Sequence, residues 1–158
     1  MYNKKNKPTK QMGTRSRIGI QLSDDSILSV YHHWDGYPEW LGRILNTHYN
    51  SKNKVEELID GGDMSCAWTK ERWTGKQLAP YVKEIKESRR YGPQYYSQRG
   101  EDCPPRLDKD LCEYLLPDGS EEFAYVFRND QWVCYNMHHF DDTKLPEVVS
   151  IPKGALMD

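Results

Sequence analysis

Two segments near opposite ends of the chain constrain its fold more than any other feature. "SRIGIQLSDDSILSVYHH", Ser16 to His33, places Ile18, Ile20 and Leu22 at alternate positions, breaks at "SDDS" and resumes as a second β-prone run. "EEFAYVFRNDQWVCYNM", Glu121 to Met137, repeats the arrangement with aromatic and β-branched residues on either side of "RNDQ". Alternation with period two marks half-buried strands, and turn formers between two such runs join them antiparallel. A hairpin at each end predicts a mainly antiparallel sheet and argues against a doubly wound parallel fold.

Between the hairpins the period changes. Pro38 suits the first position of a helix to about Tyr49, with Trp40, Leu41, Ile44, Leu45 and Tyr49 inward and Arg43 and Asn46 outward. "KNKVEELIDGG" predicts a shorter helix with Val55, Leu58 and Ile59 inward, terminated by a left-handed residue at Gly61 or Gly62. "MSCAW" is strand-like and "APYVKEIKESRRY" helical, while 92–107 mixes Pro, Gly and charge and predicts a long loop with one short strand at "QYYS". "EVVSI" forms a last extended segment after a polar, Pro-broken tail. The expected architecture is therefore α+β: a single domain over 13–158, its mainly antiparallel sheet built from hairpins, with two or three helices packed on it. Residues 1–12 hold four lysines and no apolar periodicity, and are expected to be a flexible basic arm.

At 158 residues the chain has the usual length of one domain. Its apolar content is low at 37%, but five Trp, eleven Tyr and three Phe supply large buried areas. A net charge of −2 argues against a broad nucleic-acid footprint, which needs a basic surface to displace counterions from phosphates. No apolar run approaches a membrane span, and no secretory leader is visible, so a soluble intracellular protein is expected. Cys66, Cys103, Cys112 and Cys134 are scattered without a CxxC pair, which predicts reduced thiols and no metal or other cofactor.

The segment richest in chemistry is "YHHWDGYP". If the strand alternates through Val30 and His32, then Tyr31 and His33 share the opposite face, and only one histidine reaches a given site. His33 with Asp35 is the pair of interest, because an aspartate beside a histidine fixes its tautomer and raises its basicity. The bland alternative is a folding corner: Asp35-Gly36 is a good turn, and Trp34 and Tyr37 could be core. Arg15 and Arg17, in "GTRSRIG", project from one side of a strand and could grip a carboxylate or phosphate, or simply decorate a solvated face. In "QRGED", Arg99, Glu101 and Asp102 flank Gly100, which permits unusual backbone geometry.

Taken in order, "GTRSRIG", "SVYHHWDGYPEWLGRILNTHY", "KVEELIDGGDMS", "QRGED" and "EEFAYVFRNDQWVCY" resemble a family of small phage and prophage proteins, over nearly everything from Met12 to Tyr135. The resemblance implies that Met12 matches the family's usual start and that 1–11 is an extension. It also implies a phage-encoded protein working in a bacterial host cytoplasm. The family's polar signature falls on Arg15, His33, Trp34, Asp35, Gly36, Tyr37, Arg99, Gly100 and Glu101; His32 departs from it, where relatives often carry cysteine. No catalytic mechanism comes with the resemblance.

Three functions compete. The favoured one is a binding protein acting on the host, in which Arg15, Arg17, His33, Trp34, Asp35, Tyr37, Arg99 and Glu101 form a pocket for a small anionic, nucleotide-like ligand. A small hydrolase, metal-dependent or with a His/Asp general base, would use His33, Asp35 and Glu101. No Gly-rich phosphate loop, HExxH or activated Ser or Cys motif accompanies them. The third is a structural or interaction component whose surface aromatics dock a host or phage protein.

Overall fold

The computed structural model describes residues 14–67, 93–116, 121–138 and 146–154. The expected basic arm and the helix expected in "APYVKEIKESRRY" lie outside these residues. Alternation builds the first hairpin as anticipated: β1 (Ser16–Gln21) pairs antiparallel with β2 (Ile27–His32), Ser16 opposite His32 and Gln21 opposite Ile27. Later strands are β3 (Met64–Cys66), β4 (Gln94–Tyr95), β5 (Arg106–Asp108), β6 (Phe123–Arg128), β7 (Gln131–Asn136) and β8 (Glu147–Val149). The β6–β7 turn holds Asn129 and Asp130 at φ 51° and 61°. Two successive left-handed residues give a two-residue turn the twist that suits a hairpin.

These strands form one sheet in the order β4-β3-β2-β1-β6-β7-β8. The outer edge of β2 is shared: Ile27–Ser29 pair with β5, and His32 pairs with β3. Most pairings are antiparallel, but the two hairpins join through a parallel pair, β1 with β6, running from Ser16 opposite Phe123 to Ile20 opposite Phe127. A π-helical turn (Pro38–Gly42) leads into α1 (Arg43–His48), followed by α2 (Lys52–Asp60). The terminating left-handed residue is Gly62 at φ 87°; Gly61 keeps a helical φ of −72°.

The sheet is covered on both faces. On one, Ile18, Ile20, Val30, Tyr125, Phe127, Trp132 and Cys134 pack with Leu41, Ile44 and Leu45 and with Val55, Leu58 and Ile59 of α2. Each fully buried aliphatic there contributes about 1.5–3 kcal/mol. On the other, Ile27, Ala124, Val126 and Tyr135 pack under Tyr114 and Leu115. Tyr114 ends α3 (Leu111–Tyr114), whose first turn is capped by Asp110 accepting from the Glu113 N–H at 2.9 Å. Neither β5 nor α3 was anticipated, β5 in part replacing the expected loop; both are too short for periodicity to reveal. Arg43, expected outward, is half-buried.

Aromatic polar groups then tie elements together. Tyr114 donates to the Tyr125 carbonyl at 2.8 Å, and Tyr125 to the Gly36 carbonyl at 2.7 Å. The Trp132 indole donates to the Tyr49 carbonyl at 2.8 Å, and Tyr95 to the Leu58 carbonyl at 2.7 Å. At Gly36 the chains approach so closely that a Cβ would lie 2.7 Å from both the Thr14 carbonyl oxygen and the Ser16 Cβ. Glycine is required there for space, and its N–H donates to that same carbonyl at 2.8 Å.

Candidate functional site

Strand alternation separates the adjacent histidines as the sequence predicts. His32 is 1% exposed on the helix-covered face, with Nδ1 3.4 Å from the Ser16 hydroxyl. Burial pulls its pKa down to about 3, so it is an uncharged core residue. His33 lies on the opposite face, half-buried, beyond the end of β2. The His33 N–H donates to Met64 at 3.2 Å and the Trp34 N–H to Ser65 at 2.9 Å, extending the pairing with β3.

Tyr31 shares that face, and its hydroxyl lies 2.8 Å from Nδ1 of His33. The Trp34 ring stands edge-on to the imidazole, centroids 4.6 Å apart, and remains 42% exposed. Arg15, exposed just before β1, acts through its charge on the Tyr31 phenol and on His33. Arg99, on the 3₁₀ turn Tyr96–Arg99, acts on the same imidazole through its charge. Burial first, then these two guanidiniums, push the His33 pKa down and favour neutral imidazole.

Asp63 holds the neighbourhood together. Its carboxylate accepts the Tyr31 N–H at 2.8 Å, its carbonyl accepts the Tyr96 N–H at 3.0 Å, and its own N–H donates to Cys103 at 2.9 Å. The Arg99 guanidinium sits 4.5 Å from the centre of the Tyr96 ring and 3.1 Å from Glu101, on the outside of the molecule. Burial, with Tyr31 as the next contribution, pushes the Tyr96 phenol up to about 12, leaving it protonated. Segments some eighty residues apart in the chain thus meet: Arg15, Tyr31, His33, Trp34, Tyr96, Arg99 and Glu101 form one neighbourhood.

Two expectations require correction. Asp35 does not accompany His33. The backbone turns at Asp35 with φ 54°, and its carboxyl lines a separate cavity of ≈ 560 Å³ with Thr14, Tyr37, Glu39, Glu122, Phe123 and His138. Burial raises its pKa, and its charge acts on the Tyr37 phenol in that cavity. The site expected to hold Asp35 and Tyr37 beside His33 is therefore divided, and the hydrolase alternative loses the carboxylate that would orient its base.

Arg17 is also committed elsewhere. Only 9% exposed, it donates from Nε to the Ser29 hydroxyl at 3.0 Å and from a terminal nitrogen to the Ser29 carbonyl at 3.3 Å. Glu121 lies 3.9 Å away. The sequence suggested a solvated face or a second anion-gripping arginine; the elements around α3 cover this part of the sheet and turn Arg17 into a structural bond.

Tyr31, Asp63 and Tyr96 were not picked out as site residues. Tyr31 was accessible to sequence reasoning, because period-two alternation places it beside His33. Asp63 and Tyr96 are joined to the site by contacts between distant segments, the Asp63 carboxylate with the Tyr31 N–H and the Tyr96 N–H with the Asp63 carbonyl. Among the described residues, no group of three or more His, Cys, Asp or Glu is arranged to hold a metal ion.

Fold and site together define an α+β protein in which the rings of Tyr31 and Trp34 flank a half-buried histidine at the end of one strand, with the charges of Arg15 and Arg99 acting on it. Comparison with protein-family models, with curated proteins and with solved structures finds no match. No helix among the described residues is long and apolar enough to cross a membrane.

Proposed function

We propose that the chain is a small phage-encoded accessory protein, working in the cytoplasm of a bacterial host, that binds an anionic ligand of nucleotide type through Arg15, His33 and Arg99. The observation that carries this reading is that Arg15 and Arg99, from distant segments, both act through their charge on the His33 imidazole, whose Nδ1 lies 2.8 Å from the Tyr31 hydroxyl. Arg15, together with Arg99 shared with Glu101 at 3.1 Å, places positive charge near this histidine on a chain whose net charge is −2. Such charge attracts phosphate or carboxylate, and guanidiniums hold either through charge-assisted hydrogen bonds. The exposed Trp34 ring and the Tyr96 ring offer faces on which a base can stack. The phage origin and host setting rest on the resemblance of the "GTRSRIG", "HWDGYP" and "QRGED" segments.

Equilibrium binding to a panel of nucleoside mono-, di- and triphosphates tests the reading. Saturable binding by the native protein, weakened about tenfold or more in Arg15→Ala and in Arg99→Ala, is expected from losing one charge-assisted bond. Absence of a saturable signal across the panel would contradict it.

A further inference from the structure

We propose that Tyr31 is the positioning residue of this surface: its hydroxyl donates a hydrogen bond to Nδ1 of His33, which keeps the ring proton on Nε2 and makes that nitrogen a donor toward bound phosphate. The claim about phosphate rests on the binding function proposed above; the claim about the imidazole does not.

The geometry limits where protons can go. A guanidinium carries only donors, so the positive charge of Arg15 favours a Tyr31 hydroxyl whose oxygen lone pairs face it. The single phenolic proton is then directed elsewhere, and Nδ1 of His33 lies 2.8 Å away. An Nδ1 that accepts leaves the neutral imidazole protonated at Nε2. The backbone that carries the phenol is itself fixed: the Tyr31 N–H is held by the Asp63 carboxylate at 2.8 Å, and β2 pairs Tyr31 opposite Arg17 of β1. Burial and the two guanidiniums keep the imidazole uncharged, so a definite tautomer exists to be set.

The consequence is chemical selectivity. Arg15, Arg99 and an Nε2–H are all donors, so the group they meet together must be an acceptor with several lone pairs, such as a phosphate monoester. The opposite tautomer would turn an Nε2 lone pair toward the same oxygen and repel it. Tyr31 thus sets the sign of the histidine's contribution without touching the ligand.

Long-range ¹H–¹⁵N correlation of the imidazoles in the free protein tests this directly, the His33 signals being assigned by their loss in His33→Gln. The native protein is expected to show His33 protonated at Nε2, and Tyr31→Phe to move the pattern toward the Nδ1-protonated form. An Nδ1-protonated His33 in the native protein, or an unchanged pattern in Tyr31→Phe, would overturn the proposal. Adenosine monophosphate is then titrated into both proteins, and Tyr31→Phe is expected to bind about tenfold more weakly, the loss of one well-placed donor. Equal affinity would overturn the phosphate-orienting role. If the native protein binds no nucleotide while showing the expected tautomer, the binding function fails and the positioning by Tyr31 stands.

Discussion

The Tyr125 hydroxyl, from the middle of β6, donates to the carbonyl of Gly36 at 2.7 Å across a sequence separation of 89 residues. This bond fixes the corner after His33 against the central strands, and both groups are buried. Tyr125→Phe keeps the ring and removes the donor, so a buried carbonyl is left unsatisfied, a loss of about 1–3 kcal/mol. Urea denaturation should show this reduction, whereas Tyr37→Phe, at a half-exposed position on the same corner, should change stability by less than about 0.5 kcal/mol. Equal effects would mean that the bond does not hold the corner.

Gly36 makes a second, steric prediction. A Cβ at this position meets the Thr14 carbonyl and the Ser16 side chain, neither of which is the far end of a flexible chain. Gly36→Ala should cost about 1–3 kcal/mol, the usual range for forcing atoms into a packed interior. A thermal melt within a degree of the native protein would show that β1 and this corner are not in such close contact.

Arg15 and Arg17 should separate cleanly when each is changed to alanine. Arg17 is buried and bonded to Ser29, so its loss strands a buried hydroxyl and carbonyl and should lower stability by about 1–3 kcal/mol. Arg15 is exposed, so Arg15→Ala should leave stability within about 0.5 kcal/mol while weakening ligand binding. Denaturation and binding measured on the same two variants check this; a destabilised Arg15→Ala with a native-like Arg17→Ala would reverse the assignment.

His32 makes stability depend on pH in a definite direction. Its pKa falls from the ordinary 6.5 to about 3 in the folded chain. Above pH 6.5 both states carry neutral imidazole and the residue adds no pH dependence. As the pH falls from 6.5 toward 3, the unfolded chain binds a proton that the folded chain excludes. Stability from this group is therefore lost on acidification, by about 1.4 kcal/mol per pH unit within that window. Chemical denaturation at pH 7.5 and pH 5 is expected to show a smaller difference for His32→Gln than for the native protein, by roughly 2 kcal/mol. Identical differences would place His32 within reach of solvent.

Both hairpins, and the contrast between His32 and His33, were legible because period-two alternation is written locally in "ILSVYHH" and "EEFAYVF". The parallel pairing of β1 with β6 was not, since it joins Ser16 to Phe123 and no local pattern encodes a partner so far along the chain. Asp35 was misplaced because a turn signal announces that the chain bends without giving the direction; its left-handed φ takes the carboxyl off the strand face. Arg17 was misread because an arginine on an alternating strand looks the same whether its face meets water or a four-residue helix such as α3. The approach of the Tyr96–Arg99 turn to the strand carrying Tyr31 and His33 runs through Asp63, whose bonds to Tyr31, Tyr96 and Cys103 are tertiary and leave no mark in the sequence.

The binding function proposed above requires Arg15, His33 and Arg99 to form one anion-binding surface. It is tested most directly by backbone and side-chain NMR shifts on titration with adenosine monophosphate at low ionic strength, where surface charges are least screened. Saturable shifts confined to Arg15, Tyr31, His33, Trp34, Tyr96 and Arg99, moving with one common dissociation constant, are the predicted result. Shifts centred instead on the Asp35, Glu122 and His138 cavity, or none at all, would contradict the account.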